Sequence, residues 1–306
     1  MNRLFGGTNY IGPFQRVLAT TTRQRRPRIL DMGTGGGQWA LDIAHEFEDA
    51  DVFGVDLAPI QPRDGPMNCS FQICDLDQTN LPYADKYFDI IHARVSELQS
   101  LTPMDTEPSL YRQSMYYGIK NYERFLSEVA RILVRTIPTI VRRLAHALFL
   151  KRPGGLLIII EPDVVPLVNG QFATDIRRGI DKEYAPGWTS LWHIFGKCLQ
   201  LQGINTSIPR RLRNLIRGTR EFSKITEQHA DVPISFWQTG EDELSIAQLA
   251  WLEHDLLLPG MIPMLMNVGR MSQPGATDLV QRAQDDLYYP QCLLSTRVYV
   301  AHTKKK

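Results

Sequence analysis

Up to about residue 165 the chain alternates short aliphatic or β-branched runs with stretches whose apolar residues recur at helical spacing. The runs at 28–32, 51–57, 69–74, 87–93 and 155–161 each have the length of one strand. Between the first two, Ala40, Ile43, Ala44 and Phe47 fall at i, i+3, i+4 and i+7, which predicts an amphipathic helix over 38–48. A second helix is predicted over 119–133, with Tyr122, Phe125, Leu126, Val129 and Leu133 on one face. Strands alternating with helices in this way indicate βαβ units and a parallel sheet.

Beyond residue 165 the period changes. Helices are predicted over 188–202 and 209–217, an extended stretch with interleaved polar residues over 222–234, and a long helical stretch over 243–268 that Pro259 and Pro263 should break or kink. A further helix over 278–288 precedes a last strand over 293–302. The two late strands are expected to pair antiparallel at one edge of the sheet. No internal repeat or low-complexity linker separates the halves, so a single domain over 1–306 is expected.

Composition narrows the classes. The 306 residues carry a net charge of +1, with 43% hydrophobic and 22% charged residues, an ordinary globular balance that gives no bulk attraction to nucleic acid or an anionic membrane. The longest purely aliphatic run, Leu156 to Ile160, is far short of the roughly 20 residues of a membrane span, and the N-terminus has no hydrophobic signal core. The expected location is the cytoplasm, with the nucleus as the second option. Cys69, Cys74, Cys198 and Cys292 form no Cys-x-x-Cys pair and the seven histidines form no ligand-spaced motif, so the thiols are expected to be reduced and no metal is expected.

The most informative stretch is Ile29-Leu30-Asp31-Met32-Gly33-Thr34-Gly35-Gly36-Gly37-Gln38-Trp39, a strand running through a glycine turn into a helix. Such a turn presents backbone N–H groups and a surface bare of Cβ atoms to a ligand. A dinucleotide fingerprint starting at Gly33 needs glycine where Gln38 stands, and a phosphate-binding Walker loop needs a Gly-Lys-Ser/Thr that is absent. Asp56 closes the second strand 19 residues after Gly37, and Asp75 closes the third. A doubly wound sheet brings these strand ends to one crevice, where a carboxylate can accept hydrogen bonds from ribose hydroxyls.

The pattern Asp31-x-Gly33-x-Gly35-x-Gly37, followed by Asp56 and Asp75, resembles the class I S-adenosylmethionine-dependent methyltransferases. The resemblance continues through residues 81–94, 125–133 and 152–157. Within that superfamily Gln38-Trp39, Val55-Asp56-Leu57-Ala58-Pro59 and His92-Ala93-Arg94 resemble the fungal group that includes the velvet-complex regulator of secondary metabolism. The resemblance implies an α/β fold: a doubly wound, mostly parallel seven-stranded sheet with C-terminal helical additions. Residues 28–165 would form the cofactor-binding core, and 166–306 the helical additions and late edge strands. By the same resemblance Asp31, Gly33, Gly35 and Gly37 hold the methionine part of S-adenosylmethionine, Asp56 the ribose, and Asp75 with the Leu76 backbone the adenine, while Thr34, Leu57 and Ala93 complete the set.

Two segments depart from the family pattern. Joining Leu133 to Lys151 gives continuous family text, so residues 134–150 are seventeen extra residues, with three arginines, no acid and Pro138. They read as a helical insertion, as a basic amphipathic segment for a membrane or partner, or as an in-frame retained intron. Only 27 residues precede the first strand, where family members carry a longer lead with an aromatic residue that closes over the cofactor. Tyr10 or Phe14 could take that part or simply pack.

Methyl transfer from a sulfonium is an in-line displacement that depends on positioning in a dry pocket. Should the acceptor be a hydroxyl, His92 at the end of the fourth strand is the first candidate base, and the alternative is a histidine packed behind the sheet. His193, near Trp188 and Trp192, and Glu161 are candidates for the substrate side, as is Asp163. Acids at a strand end are more ordinarily solvated, and Lys304–Lys306 reads as a solvated tail. Three functions compete: an enzyme methylating a small molecule in specialised metabolism, a methyltransferase-like regulator working through a protein partner, and a product impaired by the 134–150 insertion. A partner-driven role predicts exposed apolar surface between 188 and 270.

Overall fold

Strands β1 (Arg28–Met32), β2 (Asp51–Asp56), β3 (Cys69–Ile73), β4 (Ile90–Arg94) and β5 (Leu156–Pro162) pair in parallel in the order β3-β2-β1-β4-β5. They occupy the five runs expected from the sequence. The structure is a computed structural model and describes residues 8–19, 25–94, 119–135, 154–173 and 185–306. Ile29, Leu30, Met32, Ile90, Ile91, Ala93 and the β5 residues Leu156 to Ile159 are fully buried, because helices or loops cover both faces of a central parallel strand. Outermost β3 is mostly exposed.

Helices α1 (Phe14–Leu18), α2 (Gln38–Glu46) and α3 (Tyr122–Ile132) belong to this half. The inward face of α2 is Trp39, Ala40, Ile43 and Ala44. Asn121 caps α3 by accepting from the Arg124 backbone N–H at 2.9 Å, and the face predicted from periodicity is the buried one.

The second half extends the same sheet. A two-residue hairpin, β6 (Leu167–Val168) and β7 (Gln171–Phe172), is followed by α4 (Pro186–Leu201), α5 (Ile208–Gly218), β8 (Thr226–Pro233), α6 (Glu241–Gly260), α7 (Ile262–Asn267), α8 (Gln273–Tyr288) and β9 (Leu294–Lys304). β9 runs antiparallel to β5, β6 and β8, so the two late strands pair as expected. The described sheet has nine strands, two more than the seven expected. The addition is the hairpin, whose tip Asn169-Gly170 has φ of 50° and 78°, both in the left-handed region that a tight hairpin turn requires. That dipeptide was its sequence signal.

Three boundaries shift for identifiable reasons. The long helix breaks at Met261: Pro259 is tolerated in the last turn of α6, and Pro263 sits in the first turn of α7, where a missing N–H costs nothing. α8 starts at Gln273 instead of 278, because the Ser272 hydroxyl caps it and Pro274 occupies its first turn. The lysine tail is not solvated as expected. Lys304 pairs opposite Leu156, and Lys305 is 2% exposed, its Nζ donating to the Ala130 carbonyl near the C-terminal end of α3. Burial lowers the pKa of Lys305.

Residues 136–150 of the extra segment lie outside the described residues. Its flanks are described and they meet. Val134 N–H donates to the Phe88 carbonyl at 2.9 Å, and the Val134 carbonyl accepts from Gly155 N–H at 2.7 Å. The two flanks are thus bonded to one another, and β5 is in place between β4 and β9.

Candidate functional site

Asp31 and Asp56 stand at the carboxyl ends of β1 and β2 beside the glycine loop, and Asp75 follows the end of the neighbouring β3. Gly33, Gly35 and Gly37 have φ of 71°, 55° and 83°, so the loop takes a path that side chains disfavour. At Gly37 a Cβ would also lie 2.6 Å from the Phe71 ring. Four of the loop's backbone N–H groups are bonded within the protein. Gly33 and Thr34 both donate to the Val55 carbonyl at 2.9 Å, Gly35 donates to Asp56 Oδ2 at 2.9 Å, and Gly37 to the Thr34 carbonyl. The first three lock the loop onto β2, and the Gly37 bond closes the loop on itself.

Asp31 is 3% exposed. Its Oδ2 accepts from the Thr34 hydroxyl at 2.7 Å, and its Oδ1 lies 2.8 Å from His92 Nδ1. The two residues are Cα partners across β1 and β4. Trp39 stacks on the His92 ring, 3.7 Å between centroids and 10° between planes, and its own Nε1 donates to the Asn9 carbonyl. His92 is 1% exposed, and burial lowers its pKa more strongly than Asp31 raises it. A general base must reach its substrate, and this imidazole is covered on one face and tied at Nδ1. The structure therefore places His92 against Asp31, because β1 and β4 are neighbours, with Trp39 stacked on its ring.

Asp56 accepts one backbone bond on each oxygen, from Gly35 at Oδ2 and from Ala58 at Oδ1, 3.0 Å. Each carboxylate oxygen has a second lone pair, so the group can still receive two hydroxyls. Leu57 follows, 38% exposed. Asp75 Oδ1 accepts from Asp77 N–H at 2.9 Å, and the Cys74 N–H to Asp56 carbonyl bond at 2.8 Å holds the two strand ends together. Leu76 is half-buried beside them, and Ala93 is fully buried between Met32 and Ile159. A nucleoside fits this donor and acceptor set: a bare glycine turn, a carboxylate with spare acceptor capacity at the end of β2, and an acid with an adjacent backbone at the next strand end.

The sequence missed Asp77. Its Oδ1 takes Arg124 Nη2 at 3.0 Å and Lys120 N–H at 3.2 Å, which fixes the loop after β3 to the start of α3. It also missed Tyr122, whose hydroxyl donates to Glu161 Oε1 at 3.1 Å. Burial and the facing Glu161 raise the Tyr122 pKa well above its ordinary value. Glu161 and Asp163 are both buried, not solvated. Arg210 on α5 bonds both Asp163 oxygens, at 2.6 and 3.0 Å, so that acid fastens the end of β5. His193 lies on the exposed side of α4, while Trp188 and Trp192 turn inward onto His254 of α6, with ring centroids 5.5 and 5.9 Å away. Tyr10 stacks on Phe14 at 4.4 Å and both pack on Phe47 beyond the far end of α2, which is the packing alternative for these residues.

His254 gives a pH dependence with a definite sign. Its Nδ1 bonds the Ala250 carbonyl at 2.7 Å, and burial lowers its pKa to about 4. The unfolded imidazole takes up its proton near pH 6.5, so this contribution is complete above that value and lost as pH falls toward 4. We expect about 3 kcal/mol of unfolding free energy to disappear over that window, and His254→Phe to flatten the slope in urea denaturation at pH 7, 5.5 and 4.

Among the described residues no group of three or more His, Cys, Asp and Glu could hold a metal ion, and no helix is long and apolar enough to cross a membrane.

A methyltransferase-domain family profile matches residues 29–114. The protein-methionine methyltransferase laeA of Emericella nidulans is 41% identical over 225 residues, 72% of this chain and 46% of that protein. The secondary metabolism regulator laeA of Monascus pilosus is 38% identical over 97 residues, 32% of this chain and 25% of that one. The aligned part is thus less than half the length of the curated relatives the chain matches. A solved loganic acid methyltransferase has a similar fold, with a TM-score of 0.51 at 12% identity, covering 96% of this chain and 90% of that one. With the β3-β2-β1-β4-β5 order, the glycine loop and these relatives together, the chain belongs to the class I S-adenosylmethionine-dependent methyltransferases and is related to laeA.

Proposed function

We propose that the protein binds S-adenosylmethionine at the carboxyl ends of β1, β2 and β3 and transfers its methyl group to a small-molecule acceptor, within one domain spanning 1–306. The observation that carries this is that Asp31 and Asp56 both bond one glycine loop of positive φ, with Asp75 at the neighbouring strand end tied to Asp56 through the Cys74 N–H. When bound, the cofactor supplies an electrophilic methyl group on a sulfonium. Asp56 holds the ribose hydroxyls, Asp75 and the Leu76 backbone hold the adenine, and Asp31 faces the methionine part. The loop, pinned to Val55 and Asp56, sets the height of the cofactor above the sheet. Positioning of this kind supplies the rate without a dedicated base. Glu161 lies at the end of β5, on the acceptor side in this reading, and His193 belongs to the same proposal. The cytoplasm is the proposed location.

Two observations favour a second reading, in which the acceptor or partner is a protein. The laeA relative that matches 72% of this chain is named a protein-methionine methyltransferase. Phe236, Trp237, Leu249, Leu252 and Leu256 are 39–66% exposed, in the region where a partner-driven role predicts apolar surface. The intact pairing of β5 beside the extra segment speaks against an impaired fold.

Purified protein is expected to give a saturable calorimetric isotherm with S-adenosylmethionine. Incubation with a metabolite extract should then yield a product heavier by one methyl group in mass spectrometry. Absence of binding heat would overturn the proposal, and methylation confined to protein in a parallel lysate would select the second reading.

A further inference from the structure

Thr34 and His92 approach one buried carboxylate from two sides. The Thr34 hydroxyl bonds Asp31 Oδ2 at 2.7 Å and His92 Nδ1 bonds Oδ1 at 2.8 Å. His92 cannot rotate away, because Trp39 lies parallel to its ring at 3.7 Å and Trp39 is itself fixed by the Asn9 carbonyl. The proton on Nδ1 is therefore held toward Asp31, and the carboxylate plane is fixed by two donors of opposite origin, one from the loop and one from β4. A carboxylate without donors would be free to turn. With both donors it keeps its orientation, and each oxygen retains a lone pair.

We infer that His92 is a positioning residue, which acts through Asp31 to hold that carboxylate for the cationic amino group of the cofactor's methionine part. The inference rests on the reading that this site binds S-adenosylmethionine. A neutral imidazole suits the task, because the pair then keeps a net negative charge to meet the ammonium. A protonated one would cancel it. Burial lowers the His92 pKa, and the nearby Arg94 charge acts in the same direction.

The test compares S-adenosylmethionine with 5′-methylthioadenosine, which keeps the adenosine and lacks the amino-acid part. His92→Phe preserves the stack on Trp39 and removes the donor. His92→Asn places an amide N–H near the position of Nδ1. Calorimetry should show His92→Phe weakening S-adenosylmethionine on the order of tenfold while leaving methylthioadenosine unchanged, and His92→Asn within about threefold of wild type for both. A structural role would weaken both ligands together. Equal loss of both ligands in His92→Phe, or no rescue by His92→Asn, overturns the inference. Should His92→Phe fail to fold, Thr34→Val removes the other donor to the same carboxylate and must give the same split between the ligands. Wild-type protein binding neither ligand would instead overturn the cofactor reading itself.

Discussion

Asp56→Ala is expected to weaken S-adenosylmethionine binding by at least about a hundredfold in calorimetric titration. The carboxylate stands at the end of β2 with one backbone bond on each oxygen, from Gly35 and Ala58, and one acceptor position left on each for a ribose hydroxyl. A hydrogen bond to a charged acceptor contributes about 1.5–3 kcal/mol, so losing two costs about 3 kcal/mol or more, which is two powers of ten in affinity. The same substitution removes the acceptor that pins Gly35, so the loop loosens as well and the loss compounds. Asp56→Asn keeps one carbonyl acceptor and should fall between alanine and wild type. Thermal stability should change little beside the affinity, because Asp56 is partly exposed and outside the buried core. Alanine binding within threefold of wild type would remove Asp56 from the site.

The second large effect is on folding. Gly187, in the first turn of α4, lies against the backbone of α8: a Cβ there would sit 2.4 Å from the carbonyl carbon and oxygen of Arg282 and 2.7 Å from the amide nitrogen of Ala283. Backbone atoms cannot swing aside as a side-chain end can, so α4 and α8 must separate. The same contact holds Trp188 N–H on Asp286 Oδ2 at 2.8 Å, which separation would break. Gly187→Ala should cost about 3 kcal/mol and lower Tm by about 5–10 °C in a calorimetric scan. Gly196 in the same helix is the control, since a Cβ there meets nothing within 4 Å. Gly196→Ala should be neutral or stabilising by up to about 1 kcal/mol, from helix propensity alone. Equal effects at the two glycines would show that the close approach is not what limits Gly187.

The central strands were legible because a parallel strand covered on both faces is an unbroken apolar run, as Leu156 to Ile159 is. The acids were legible because Asp31, Asp56 and Asp75 each stand at or just beyond the end of a predicted strand, and strand ends of a doubly wound sheet converge. The β6–β7 hairpin escaped because two-residue strands have no periodicity, and only the Asn169-Gly170 turn announced it. The start of α8 escaped for a related reason: Gln273-Pro274-Gly275 looks like a loop until the Ser272 cap is seen to hold it. Asp77 and Tyr122 stayed hidden because their partners, Arg124 and Glu161, are 47 and 39 residues away.

By itself, then, the sequence determined the fold class, the order of strands and helices through residue 162 and the acidic residues at the strand ends, since all of these follow from local periodicity and from residues at fixed offsets from a strand. The tertiary structure decided what each side chain does. His92 had the residue type of a base and stood at the end of the right strand, yet the pairing of β1 with β4 put it on Asp31, and the first turn of α2 put Trp39 over it. Asp163 looked solvated until α5 brought Arg210 to it, and the last lysines looked like a tail until β9 ran to Lys304 beside β5. Protonation, exposure and reach depend on neighbours that are distant in the chain, and only the folded sheet chooses those neighbours.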